Sequence, residues 1–302
     1  MQPVIDWTEF LTAAAPLQPM LHKYCARLLG SVTDGEDLLQ DTLIKAFTAQ
    51  NAPTDPQQLR AWLFKIAHNR AIDLLRAKVT KNPYSLEQMT ELSVAADYED
   101  SFVSNDADPL QQLIQQETLA ITLGAFVQLP IAQRSVVILK DVLGEPLADI
   151  ASLLGLTLDS VKSHLARGRR NLSVRRGVTT HEPPAPSAQL AQYVALFNQR
   201  DWPALKQLLS SEVILKQSSH PERRGTADVS SFFSIYAGCD FGRLKAAWLD
   251  GREVILVYPP QSAAPKYLMW LEWQHNKICF IRDYRYVDYL LDEMPLINLV
   301  LA

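Results

Sequence analysis

The sequence predicts a mainly α-helical chain over its first two thirds and an α+β domain over its last third, and three observations carry that expectation. Residues 8 to 76 and 109 to 176 repeat apolar side chains at intervals of three and four, with almost no alternation of strand type. Residues 213 to 216, 254 to 258, 267 to 273 and 277 to 284 are instead rich in β-branched and aromatic residues, with His275-Asn276 where a hairpin turn falls. Between the two regimes lies His181-Glu182-Pro183-Pro184-Ala185-Pro186, a stretch that resists helix and reads as a semi-rigid spacer.

A chain of 302 residues, 48% of them apolar, is long enough for two or three compact units. Its formal charge of -4 excludes a protein that coats nucleic acid through overall basicity, so any nucleic-acid site must be a local patch. Cys25, Cys239 and Cys279 are odd in number, far apart and near no His cluster, which supports neither a disulfide framework nor a zinc site and fits a reducing cytoplasm. No metal or cofactor is expected. Asp6 and Glu9 precede any apolar run, and no stretch approaches the roughly 20 apolar residues that span a bilayer, so no membrane association is expected.

From Asn82 to Gln133 there is no Lys or Arg, while Glu87, Glu91, Asp97, Glu99, Asp100, Asp106 and Asp108 accumulate, as in a solvated linker. Two helices near 189 to 198 and 203 to 209 precede the strands, giving helices that lead into a curved antiparallel sheet. The resulting division is a helical unit at 8–78, an acidic linker at 79–108, a second helical unit at 109–177, a Pro-rich linker at 178–188 and the α+β domain at 189–302.

Three helices carry chemistry. In the first, Thr33 with Glu36 forms a capping box and Leu39, Leu43 and Phe47 make an apolar stripe, leaving Asp37, Gln40, Asp41 and Lys45 as an acidic and amide face suited to a basic partner. A plain solvated face competes with that reading. In the second, Leu59, Leu63 and Ile66 point inward while Lys65, Asn69, Asp73 and Arg76 recur on an outer stripe flanked by Trp62 and His68. Cations meet phosphate, an amide reads a base edge and a ring stacks on an unpaired base; an ordinary amphipathic helix with its Trp in the core is the competing reading.

In the third, Pro146 opens a helix through Leu154, Gly155-Leu156-Thr157 makes a turn, and Asp159 to Leu172 forms a second helix, which is helix-turn-helix spacing. Ile150, Leu154, Val161, Leu165 and Leu172 supply the packing, and Ser160, Ser163, Arg167 and Arg170 face away from it. Lys162, Arg167, Arg169, Arg170, Arg175 and Arg176 form a run without an acid, where a recognition helix needs phosphate attraction. The competing reading is a basic helix in a plain helical hairpin.

Taken together, DGEDLLQDTLIKAF at 34 to 47, LRAWLFKIAHNRAIDLLR at 59 to 76 and LPIAQRSVVILKDVLGEPLADIASLLGLTLDSVKSHLARGRRNL at 129 to 172 resemble regions 2 and 4 of the extracytoplasmic-function (ECF) sigma factors of RNA polymerase. The resemblance covers residues 8 to 176 and implies a region 2 helical bundle and a region 4 helix-turn-helix, with core RNA polymerase and promoter DNA as partners. Asp37, Gln40 and Asp41 match the helix that docks on the polymerase. Trp62, Asn69, Arg70, Asp73 and Arg76 match the region that melts and reads the downstream promoter element, where a base is flipped into a protein pocket. Residues 159 to 170 match the helix that reads the upstream element as duplex, with Ser160, Lys162, Ser163, Arg167, Arg169 and Arg170 as contacts. Two departures stand out: the loop from Asn51 to Gln58 is short, and Gly168 sits inside the recognition helix, where Gly costs about 1 kcal/mol relative to Ala.

The segments LAQYVALFNQRDWPALKQLLSSEVIL, RRGTADVSSFF and ICFIRDYRYVDYLL resemble a SnoaL-like domain, a cone-shaped α+β fold that some sigma factors of this group carry in place of a separate anti-sigma protein. That implies a modulating domain whose candidate ligand is a small molecule or another part of the chain. Trp202, Phe233, Tyr236, Trp248, Trp270, Trp273 and Tyr284 are candidates to line its pocket, with plain core packing as the alternative. No spacing joins His220, Asp250, His275 and Asp283 into a dyad, so no catalytic residue is expected. The rival for the whole chain is a helix-turn-helix regulator that responds to a ligand without the sigma role.

Overall fold

The computed structural model describes residues 6–49, 52–81, 123–174, 185–218, 220–238, 242–291 and 300–301. They fall into two units, Met1–Val178 and Thr179–Ala302. The acidic linker beyond residue 81 and the Pro-rich stretch as far as residue 184 lie outside the described residues.

In the first unit, Asp6 starts α1 (Trp7–Ala14) by accepting from the amides of Thr8 and Glu9 at 2.6 and 3.0 Å. A 3-10 turn leads into α2 (Gln18–Leu29), which ends at Gly30 with a left-handed φ of 77°. A Cβ at Gly30 would also lie 2.0 Å from Val127 Cγ2, so both backbone and packing require glycine. Ser31 then caps α3 (Val32–Thr48), accepting from the Asp34 amide at 3.2 Å. This corrects the Thr33–Glu36 capping box. Ser31 holds the extended backbone that a cap needs, so Thr33 is already helical, and the buried Glu36 accepts from Gln40 Nε2 at 2.8 Å. α3 crosses α2 closely at Gly35, where a Cβ would meet Ala26 Cα at 2.6 Å.

Asp55 accepts from the Gln58 amide at 2.9 Å near the start of α4 (Pro56–Lys81). Leu59, Leu63, Phe64, Ala67, Ala71 and Ile72 form its buried side, while Ile66 is half-buried. After the linker come α5 (Leu123–Val127) and α6 (Ile131–Val137), which runs into a π-helical turn at Ile138–Val142. α7 (Leu147–Leu154) stops at Gly155, whose φ is 67°, and α8 (Leu158–Val174) begins three residues later, completing the helix-turn-helix. Ile150, Val161, Leu165 and Leu172 are buried between its helices, and Leu154 is half-buried.

Gly168 has a packing reason. A Cβ there would lie 2.5 Å from Val137 Cγ2, so the glycine lets α8 press against α6.

One buried guanidinium ties the later helices to α2. Arg134 of α6, 2% exposed, donates to the carbonyls of Leu28, Val127 and Leu129 at 2.7, 2.5 and 2.8 Å. These acceptors lie at or just beyond the C-terminal ends of α2 and α5, where helix carbonyls lack intrahelical partners, and the guanidinium supplies five donors to meet them. Burial pulls the Arg134 pKa down to about 10. Arg60 of α4 adds an ion pair with Glu145, in the connection from the π turn to α7.

The second unit begins with α9 (Ala188–Asn198), capped by Ser187, and α10 (Trp202–Gln207), capped by Asp201. The strands are β1 (Leu209–Gln217), β2 (Arg223–Arg224), β3 (Arg243–Leu249), β4 (Arg252–Tyr258), β5 (Tyr267–Gln274), β6 (Lys277–Asp283) and β7 (Val300–Leu301), with α11 (Gly225–Ala237) between β2 and β3. They form one sheet in the order β2-β1-β6-β5-β4-β3-β7. β1 pairs with β6 in parallel and the other pairs are antiparallel, so the sheet is mixed where an antiparallel one was expected. β1 meets β6 through long-range pairing rather than a hairpin, which frees its direction. The β5–β6 turn falls on His275 and Asn276, at φ 51° and 60°, as their placement predicted.

On one face of the sheet, Ile255, Val257, Tyr267, Met269 and Ile281 pack with Leu190, Tyr193 and Phe197 of α9 and Phe233 of α11. On the other face Val254, Leu256, Leu268, Trp270 and Arg282 are also buried.

Candidate nucleic-acid interface

The α3 residues expected to meet a basic partner are less open than an amphipathic helix implies. Gln40 is 8% exposed, and Asp37 and Asp41 are of intermediate exposure. Asp41 pairs with Arg70 of α4 at 3.3 Å, so a residue expected to dock polymerase and one expected to touch DNA share an ion pair.

On α4 the outer stripe is as the spacing predicts, with Lys65, Asn69, Asp73 and Arg76 all exposed. His68, Asn69, Ile72, Asp73 and Arg76 line a cleft of about 360 Å³, at the small end of the roughly 300–1,000 Å³ typical of ligand sites. Trp62 is half-buried about two helical turns from Asn69 and does not line it. Behind the cleft, the His68 Nδ1 and the buried Tyr24 hydroxyl are 2.7 Å apart. Burial lowers the His68 pKa to about 4, which keeps the ring neutral at physiological pH. Sequence reasoning placed His68 beside the stripe but missed Tyr24, because nothing local links positions 44 residues apart.

On α8, Ser160, Ser163, Arg167 and Arg170 share a face opposite the buried Val161, Leu165 and Leu172, by the roughly 100° turn per residue of a helix. Lys162 is exposed but lies off that face, and Ser160 is engaged by Thr157 Oγ1 at 2.8 Å. Arg169 is engaged within the fold. Its Nε and Nη2 donate to Asp141 at 2.9 and 2.6 Å, and that carboxylate is 1% exposed. The geometry makes Arg169 a fastener between α8 and the π turn, because withdrawing it would strand a buried charge.

In the second unit the candidate aromatics do not converge. Trp202 and Phe233, with Pro203, Lys206 and Ser234, line an open cleft of about 540 Å³. Trp270 Nε1 instead lies 3.5 Å from the Tyr284 hydroxyl in buried surroundings, Trp273 packs at the edge of the core, and Trp248 is half-buried on β3. The side chain of Tyr236 lies outside the described residues.

The ionisable groups are likewise dispersed. Asp250 and His275 sit exposed in turns, and His220 stacks on Tyr286 at 4.0 Å. Asp283 is buried, accepting from Gln217 Nε2 and the Arg285 amide at 2.9 Å each, and burial raises its pKa to about 6. Among the described residues no group of three or more His, Cys, Asp or Glu is placed to hold a metal ion, and no helix is long and apolar enough to cross a membrane.

Comparison with known proteins matches residues 14–80 to Sigma-70 region 2 and residues 122–172 to Sigma-70, region 4. The ECF RNA polymerase sigma factor SigG of Mycobacterium tuberculosis is 30% identical over 226 residues, which cover 68% of this chain and 60% of SigG. The chain thus spans about three fifths of the SigG length. The RNA polymerase sigma factor CnrH of Cupriavidus metallidurans is 31% identical over 142 residues, covering 47% of this chain and 72% of CnrH. Among solved structures, the M. tuberculosis extracytoplasmic function sigma factor SigJ aligns over 95% of this chain and 99% of its own, at 20% identity and a TM-score of 0.34. With regions 2 and 4 matched in order and CnrH matched over most of its length, the chain belongs to the ECF sigma factors of RNA polymerase.

Proposed function

We propose that this chain binds core RNA polymerase and directs it to promoters, with the α+β domain tuning that activity. The observation that carries the reading is the cleft on α4, where an amide, a carboxylate and a guanidinium meet on one exposed helix face of region 2. Polar groups of both signs around a base-sized opening suit a single-stranded base better than duplex DNA. Within it, Asp37, Gln40 and Asp41 engage polymerase, and Asn69, Asp73 and Arg76, with Trp62 and Arg70 beside them, read the melted downstream element. Ser163, Arg167 and Arg170, flanked by Ser160 and Lys162, read the upstream element as duplex, and Arg169 holds their helix in place.

The division into 8–78, 109–177 and 189–302 belongs to the same proposal, as do the SnoaL-like assignment and action in the cytoplasm. The family is one of transcription initiation factors rather than enzymes. The cleft at Trp202 and Phe233 is where a small ligand of the α+β domain is to be sought.

Run-off transcription with purified core polymerase and a promoter library tests the reading, comparing the full chain with one ending near Gly177. Core-dependent initiation supports the sigma role, and a change on truncation supports tuning by the second unit. Tight duplex binding without polymerase, and no initiation by either form, would instead favour a ligand-responsive helix-turn-helix regulator.

A further inference from the structure

The second unit carries an opening of its own between α10 and α11. Trp202 and Lys206 are four residues apart on α10 and so share one face of that helix, with Pro203 beside them, and Phe233 and Ser234 of α11 complete the described lining of the cleft of about 540 Å³. Its apolar wall is held in place before anything binds. The Trp202 indole meets the Phe197 ring edge-on at 5.2 Å, and the Arg200 guanidinium lies 5.9 Å from the indole while donating to the Gly242 carbonyl at 2.9 Å. Phe233 is fully buried. A wall fixed from behind loses little freedom when a ligand arrives, which favours binding there.

The polar part of the lining is one-sided. Lys206 is half-buried, its ammonium has three donors and no acceptor, and among the described residues it makes no hydrogen bond or ion pair. Asp201, the acid nearest to it in sequence, is committed to capping the other end of α10 through the Ala204 amide at 3.1 Å. The Ser234 hydroxyl reaches the Ser230 carbonyl only at 3.4 Å and can turn to donate into the cleft. A ligand that satisfies this lining brings apolar surface to Trp202 and Phe233 and a negatively charged acceptor to Lys206.

On the reading of this cleft as the ligand site of the α+β domain, we infer that it takes an amphipathic monocarboxylate, with an aromatic or alkyl body against Trp202 and Phe233 and its carboxylate on the Lys206 ammonium. A phosphate monoester is a poorer match, because its second negative charge would lose water beside apolar walls and meet no second cation in the described lining. An uncharged amide of the same shape leaves the ammonium without a charged partner. Lys206 therefore selects the charge class, and Trp202 supplies affinity without selecting it.

The test is a ligand-observed NMR titration of the full chain with 4-phenylbutyrate, indole-3-acetate and hexanoate, each beside its primary amide. The unaltered chain is expected to bind at least one carboxylate about tenfold more tightly than its amide, the scale of one charge-assisted hydrogen bond. Lys206→Met keeps the stem but removes the charge, and should bring acid and amide to equal affinity, whereas Lys206→Arg should keep most of the difference. Trp202→Ala should weaken acid and amide alike. Thermal unfolding of each variant separates lost binding from lost fold, and the two Lys206 variants keep the question decidable if Trp202→Ala is unstable. Equal affinity for acid and amide in the unaltered chain, or a difference that survives in Lys206→Met, overturns the carboxylate class while a ligand site at the cleft stands. Binding of none of these probes overturns the inference outright. Run-off transcription by the full chain and by one ending near Gly177 reports separately on the wider reading: initiation unchanged by truncation removes the tuning role of the second unit, whichever way the titrations fall.

Discussion

The two helices proposed to read promoter DNA, α4 and α8, use their polar residues in different ways. α4 gathers an amide, an acid, a cation and a neutral imidazole around a cleft, with the imidazole braced from behind by Tyr24. α8 carries the half-buried Ser163 and Arg167 and the exposed Arg170 on one face, and a glycine on its buried side brings it against α6. A mixed donor and acceptor set discriminates between bases but gains little from long-range attraction. Arginines without neighbouring acids attract any phosphate and need duplex base edges for selectivity. Neighbouring arginines on α8 also divide by direction, Arg169 fastening the helix and Arg170 lying exposed on the opposite side.

The sharpest way to break this comparison is to treat Arg169 and Arg170 alike. Arg169→Ala should destabilise the first unit by about 3–5 kcal/mol in urea unfolding, because Asp141 is left buried and unpaired. Arg170→Ala on the exposed face should change stability by less than about 0.5 kcal/mol. Equal losses would refute the division of α8 into a fastening side and a reading side.

Acidification probes the α4 side. His68 titrates at 6.5 in the unfolded chain and at about 4 when folded. The folded form therefore binds fewer protons between those values, and the stability that His68 contributes above pH 6.5 is lost as pH falls toward 4. The loss amounts to about 3 kcal/mol, from roughly 1.4 kcal/mol per pKa unit. In urea unfolding, His68→Phe should remove that slope and leave the remaining pH dependence intact.

Smaller effects sharpen the picture. Arg167→Ala is expected to weaken upstream-element duplex binding by about 2 kcal/mol in a titration at fixed salt, with little effect on melted downstream DNA. Gly168→Ala should lower the thermal midpoint, since a methyl group 2.5 Å from Val137 Cγ2 costs more than the roughly 1 kcal/mol that alanine returns in helix propensity.

The sequence made the α4 stripe legible because exposure there follows simple periodicity: Lys65, Asn69, Asp73 and Arg76 need only the pitch of a helix to share a face. The turn at Gly155 and the hairpin at His275-Asn276 were equally legible, since both depend on local backbone preference. Features set by distant partners were not. Arg169 looks like its neighbours until Asp141, 28 positions earlier, is brought beneath it. β3 was missed because Arg243–Leu249 carries two alanines and little β-branched character, and its strand character comes from pairing with β4. The aromatic candidates were pooled without regard to the two faces of the sheet, so Trp270 was grouped with Phe233 although it packs with Tyr284 on the other side.

The Arg134 clasp has a consequence for mutational genetics. Its three acceptors are main-chain carbonyls of Leu28, Val127 and Leu129, and those oxygens survive any side-chain replacement. A defect at position 134 therefore has no charge-swap suppressor at the accepting positions, unlike one at Arg60, which can be sought at Glu145. In a selection for second-site revertants, the two links between the early and late helices should separate: one restored by reciprocal exchange, the other only by return of the guanidinium.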